Sequence, residues 1–270
     1  MTQTLTWQDR MLSLPDGQQV HAVMGCHSDQ AAEQPVLVFL HEALGHIQMW
    51  KDFPERLALM TGLDVLVYER LGYGESSPIT LPRADDYLVP EGEQRLGEVL
   101  DAAGIDKAIL VGHSDGGTIA LIGAASLPDK VVAIITEAAH VYADEMTLKG
   151  IREAVEVYKT TNLGERLSRY HGDRTDLLFR AWTETWLRES CHQNMDFQRW
   201  LPDIRCPALI MQGKQDQYGV PEQVADICSG IGEQAEACFV DGCAHIPHLE
   251  ATEAVLELMS AFIQRVTATA

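Results

Sequence analysis

The chain has 270 residues, 46% hydrophobic and 22% charged, which allows one sizeable core and excludes a disordered polymer. Its 40 acidic side chains against 20 basic ones leave a formal charge of -20, a balance that argues against nucleic acid and anionic membranes as partners. No window reaches roughly 18 uninterrupted apolar residues, and the start has no basic stretch leading into an apolar one, so neither a membrane span nor a secretory signal is expected.

In chain order, LTWQDRMLSL and QQVHAVMGC flank Pro15-Asp16-Gly17, the pattern of a hairpin, so the sheet is expected to begin with antiparallel strands. Short apolar runs follow at residues 36–41, 64–69, 107–112, 131–139, 207–213 and 236–242. Each is apolar along most of its length rather than alternating, as in strands covered on both faces. Helical spacing lies between and after them, at 53–61, 91–103, 116–125, 221–231 and 251–266. This alternation predicts an α/β fold: a mostly parallel central sheet flanked by helices. From about 141 to 200 the rhythm breaks into helical segments with Trp182, Trp186 and Trp200, read as a helical lid inserted into one domain spanning 1–270.

In a parallel sheet the C-terminal strand ends share one edge, where ligands bind. A serine (Ser114, in LVGHSDGGT), an acid (Asp216, after PALIMQG) and a histidine (His245, after EACFVDG) each follow a separate predicted strand. A hydroxyl is a poor nucleophile unless a base lies within reach, and an imidazole oriented by a carboxylate is such a base. Gly112 and Gly116 relieve the crowding of a strand that turns straight into a helix.

With Gly112-His113-Ser114-Asp115-Gly116 in place, and with the order Ser114, Asp216, His245, the chain resembles the α/β-hydrolase superfamily, in its serine-nucleophile, lid-containing, esterase-like branch. The likeness covers nearly the whole chain. It includes the glycine-punctuated loop from Glu69 to Ser77 and the histidine loop from Gly242 to Glu250. It implies a catalytic triad of Ser114, His245 and Asp216, with the backbone N–H groups of Asp115 and Ala43 as the oxyanion hole. One departure stands out: the family's oxyanion loop begins His-Gly, whereas this chain has His41-Glu42.

Other residues carry plainer expectations. His41, His113 and His140 read as structural, Arg70 as a salt-bridge partner, and Trp50 with the lid tryptophans as core. His248 is the rival base. Cys243 to His248 suggests a metal only weakly, since no second Cys/His cluster accompanies it, so no zinc site is expected. With no glycine-rich nucleotide loop, no cofactor is expected either. Cys26, Cys191, Cys206, Cys228, Cys238 and Cys243 form no CxxC pair and read as reduced thiols of a cytoplasmic protein.

The expected function is a carboxylesterase that cleaves a small to medium acyl substrate through an acyl-Ser114 intermediate. A thioesterase, a lactonase or a C–C bond hydrolase on the same triad are the alternatives. A ligand-binding sensor on the same fold is the rival that is not an enzyme. The expected partner is a small molecule, and oligomeric state is left open.

Overall fold

In the computed structural model, which describes residues 4–28 and 34–268, eight strands form one sheet. They are β1 (Leu5–Ser13), β2 (Gln19–His27), β3 (Val36–Leu40), β4 (Val65–Tyr68), β5 (Ala108–His113), β6 (Val131–Glu137), β7 (Ala208–Gly213) and β8 (Ala235–Val240). Their spatial order is β1-β2-β4-β3-β5-β6-β7-β8. The first hairpin is antiparallel, turning at Gly17 (φ 85°), and β2 also pairs antiparallel with β4. From β4 onward every pairing is parallel.

Successive residues of β3 point to opposite faces, and both faces are buried. Val38 and Leu40 join one hydrophobic cluster with α2 (Leu96–Ala103), α3 (Asp115–Ser126) and, after β7, the helix Pro221–Ile231. Leu37 and Phe39 join a second cluster with α1 (Phe53–Thr61) and the C-terminal helix Thr252–Ala268. This two-sided burial is why the central strands lack polar alternation. Strand β8 differs, because as an edge it exposes Ala237 and Phe239 while Cys238 and Val240 face the second cluster.

Between β6 and β7 the chain is helical, with α4 (Glu145–Thr160), α5 (Leu163–His171), α6 (Thr175–Trp186) and a short helix Glu189–Asn194. The side chain of Asp144 caps α4 by accepting from the Thr147 amide at 2.9 Å. The expected helix at 91–103 opens instead with a π-helical turn, Glu91–Arg95. There Gly92 lies so close to Ile122 of α3 that an added Cβ would come within 2.6 Å of it. Among the described residues no helix is long and apolar enough to cross a membrane.

Candidate active site

Strand order reverses around β3, so the loops after β3 and β5 open at the crevice where such sheets bind ligands. Strand β5 ends at His113 and α3 starts at Asp115, leaving Ser114 alone to make the turn at φ 53°, ψ -117°. Few residues other than glycine adopt that conformation, and such strain gathers at functional sites. The turn is this tight because its neighbours approach to backbone distance. A Cβ on Gly112 would lie 2.2 Å from the Gly116 carbonyl oxygen, and one on Gly116 would lie 1.9 Å from that of Leu40. Helix α3 is buried from Asp115 to Ala124, so its positive end sits beside Ser114.

The acid and the histidine come from the loops after β7 and β8. Asp216 accepts from the Tyr218 amide at 2.8 Å, and the same Oδ1 lies 2.9 Å from His245 Nδ1. The carboxylate is almost fully buried. Burial pushes it up, but the hydrogen bond and charge of His245 outweigh that and hold it below the ordinary 3.8. The histidine loop is pinned from several sides. Glu250 accepts from the amides of Ala244 and Ile246, His113 Nε2 lies 2.8 Å from the His245 carbonyl oxygen, and the Tyr218 ring packs on the imidazole.

Ser114 and His245 line the same cavity, of about 300 Å3, together with Ala43, Asp115, Trp182 and Trp186. Asp216 stands behind His245. The Ser114 hydroxyl makes no hydrogen bond among the described residues. The amides of Ala43 and Asp115 make no backbone hydrogen bond there either.

Several partners were not legible in the sequence. The Asp115 carboxylate accepts from Tyr87 Oη at 2.5 Å, and Tyr87 in turn accepts from Trp186 Nε1 at 3.0 Å, tying the start of α3 to α6. Arg70, the expected salt-bridge residue, faces Asp115 at 3.5 Å and donates to the Glu42 carbonyl at 2.9 Å, so it also orients the loop after β3. His41 bonds the same carbonyl through Nδ1 and accepts from the Arg70 amide through Nε2. Burial and the charge of Arg70 lower its pKa to about 3, which keeps it neutral. Glu42, where the family has glycine, turns its carboxylate to His113 Nδ1 at 3.5 Å. Burial raises its pKa, but the bond and charge of His113 hold it well below the carboxylate range. His140 lines the cavity, lowered to about 4 chiefly by burial.

His248 sits elsewhere. It is buried against Trp50 and bonded to Glu137 at 2.6 Å, outside the wall of the Ser114 cavity. Among the tryptophans, Trp50 is core and Trp200 donates to Glu93, whereas Trp182 and Trp186 face the cavity, against the expectation of core alone.

A family model, that of the alpha/beta hydrolase family, matches residues 37–258. The chain belongs to that family. Pimeloyl-[acyl-carrier protein] methyl ester esterase from Xanthomonas oryzae pv. oryzae is 27% identical over 270 aligned residues, covering 89% of this chain and 99% of that protein. The serine hydrolase BPHL of Homo sapiens is 26% identical over 206 residues, covering 74% and 69%. Among solved structures, 2-hydroxy-6-oxo-6-phenylhexa-2,4-dienoate hydrolase from Rhodococcus superposes with a TM-score of 0.74 at 16% identity, covering 97% of this chain and 100% of that one. The alpha/beta hydrolase described here is thus a hydrolase whose sheet, helices and crevice follow the family plan.

Proposed function

We propose that this hydrolase cleaves a carboxylic ester of a small to medium substrate, with Ser114 as nucleophile, His245 as base and Asp216 as the group that orients it. The reading is carried by one arrangement: a buried carboxylate 2.9 Å from an imidazole, on the wall of the cavity that a strained serine turn also faces.

Ser114 Oγ attacks the acyl carbon as its proton passes to His245 Nε2, and the carbonyl oxygen takes up the negative charge. The amides of Ala43 and Asp115 stabilise that charge, one such donor being worth about 3 kcal/mol in the transition state. Collapse breaks the bond to the leaving oxygen, which departs as the alcohol with the proton from His245. Water then attacks the acyl-serine, gives its proton to His245, and returns Ser114 with release of the acid. Asp216, held ionised, stabilises the imidazolium in both halves. The helical segment near 141–200 acts as a lid within a single domain, its tryptophans shaping the acyl chamber. A cavity of about 300 Å3 suits a modest acyl group. Free cysteines at all six positions accord with a reducing, cytoplasmic setting.

An initial-rate panel of p-nitrophenyl esters, acyl-CoA thioesters, lactones and a vinylogous diketone tests this. Esters are expected to lead, and Ser114→Ala is expected to lower kcat at least about 10⁴-fold. Preference for the diketone would move the reading to C–C cleavage. Folded protein inert on every class would indicate a sensor.

A further inference from the structure

A second concavity, of about 370 Å3, adjoins the Ser114 cavity, and Glu42, Leu163 and Ile246 line both. Its walls are of a different kind. Arg166 and Arg169 project into it from α5, three residues apart and so on one helix face. Lys51 enters from another element, just after the short 3₁₀ turn Ile47–Trp50, at φ 53°. A side chain in that left-handed region costs about 1 kcal/mol, a strain characteristic of sites rather than of idle loops.

The same cations share a second property. Among the described residues, every other lysine and arginine has a carboxylate, carbonyl, hydroxyl or aromatic face as partner. Lys51, Arg166 and Arg169 have none. In a chain with 40 acids and 20 bases, unpaired cations gathered in one cleft make a local positive field in a negative molecule. The acid that lines the cleft, Glu42, is already engaged by His113.

If Ser114 is the nucleophile, the two cavities divide the substrate between them. The mostly apolar chamber beside Ser114 takes the acyl group. His245 returns a proton to the leaving group, and Ile246 and Leu249, just after it in the chain, line the basic cleft. We infer that this cleft binds the leaving-group half of the substrate through an anionic substituent, a carboxylate or phosphate, held by Lys51, Arg166 and Arg169. The inference rests on the acyl-Ser114 reading. A small anion fits better than an acidic protein, because the net charge of -20 repels an extended acidic surface and attraction is confined to the cleft. Arginine forks suit both anions, so the chemistry is shared between the two sources.

The test compares butyrate esters of meta-hydroxybenzoate, meta-hydroxyphenyl phosphate and the neutral methyl meta-hydroxybenzoate. At low salt an anionic leaving group is expected to raise kcat/KM about tenfold over the neutral one, mainly through KM, and the advantage is expected to shrink as ionic strength rises. Whichever anion gains more identifies the source. Arg166→Glu/Arg169→Glu, at exposed positions that fold without them, is expected to invert the order and favour a trimethylammonio-phenyl butyrate. Equal rates on charged and neutral esters, unchanged by the double substitution, would overturn the inference and leave the serine mechanism intact. A gain only when the charge is on the acyl side, in p-nitrophenyl glutarate against pentanoate, would overturn it as well. So would discrimination seen only with a leaving group attached to an acidic protein. Loss of turnover on every ester would remove both the inference and the mechanism beneath it.

Discussion

His245 and His248 lie three residues apart, and their surroundings separate their work. His245 meets Asp216 on the cavity wall, whereas His248 meets Glu137 inside the core at 2.6 Å. His245→Gln is therefore expected to stay folded and lose activity. His248→Gln is expected to keep most activity while losing about 2 kcal/mol of stability, the usual worth of a buried bond to a charged group. Urea melts and kcat measured on both variants check this, and the opposite pairing would exchange the roles. The candidate triad was legible in the sequence because each member follows its own strand, and strand ends meet. The Tyr87, Trp186 and Asp115 chain was not, because its members lie far apart in sequence and no local pattern aims a tyrosine at a carboxylate.

At the scale of elements, the strand-to-helix turn depends on missing side chains. Gly116→Ala would drive a Cβ against the Leu40 carbonyl, and a destabilisation of about 3 kcal/mol is expected, with the loop after β3 displaced. Gly62 closes α1 at φ 72° with open space around it, so Gly62→Ala is expected to cost only about 1 kcal/mol, from backbone conformation alone. Comparable losses in the two variants would contradict the close-packing account. The central strands were readable because two-sided burial writes an unbroken apolar run. The helices of the 141–200 segment were readable as helices, but not which tryptophan faces the cavity. Amphipathic spacing marks an inner face without saying whether that face meets core or empty space.

For the molecule as a whole, the loop of Gly72 to Ser77 folds around Glu69, a buried carboxylate shared by His21, His46 and the Glu75 amide. Burial raises its pKa, but these partners outweigh burial and take it from 4.5 down to about 2. A carboxyl depressed on folding contributes stability that is complete above its unfolded pKa and is lost as pH falls toward the folded one. Glu69 is thus expected to contribute on the order of 3 kcal/mol above pH 4.5, fading toward pH 2. The stability difference between wild type and Glu69→Gln, followed by denaturant melts from pH 7 to about 2.5, is expected to shrink along that course. A difference that stays constant with pH would contradict it.

The most direct measurement is peptide mapping by mass spectrometry after treatment with a fluorophosphonate. A single phosphonyl adduct on Ser114 is expected, formed by wild type and by His248→Gln and nearly abolished in His245→Gln. Folded wild type that takes no adduct, or takes it on another residue, would contradict the assignment of Ser114 as an activated nucleophile.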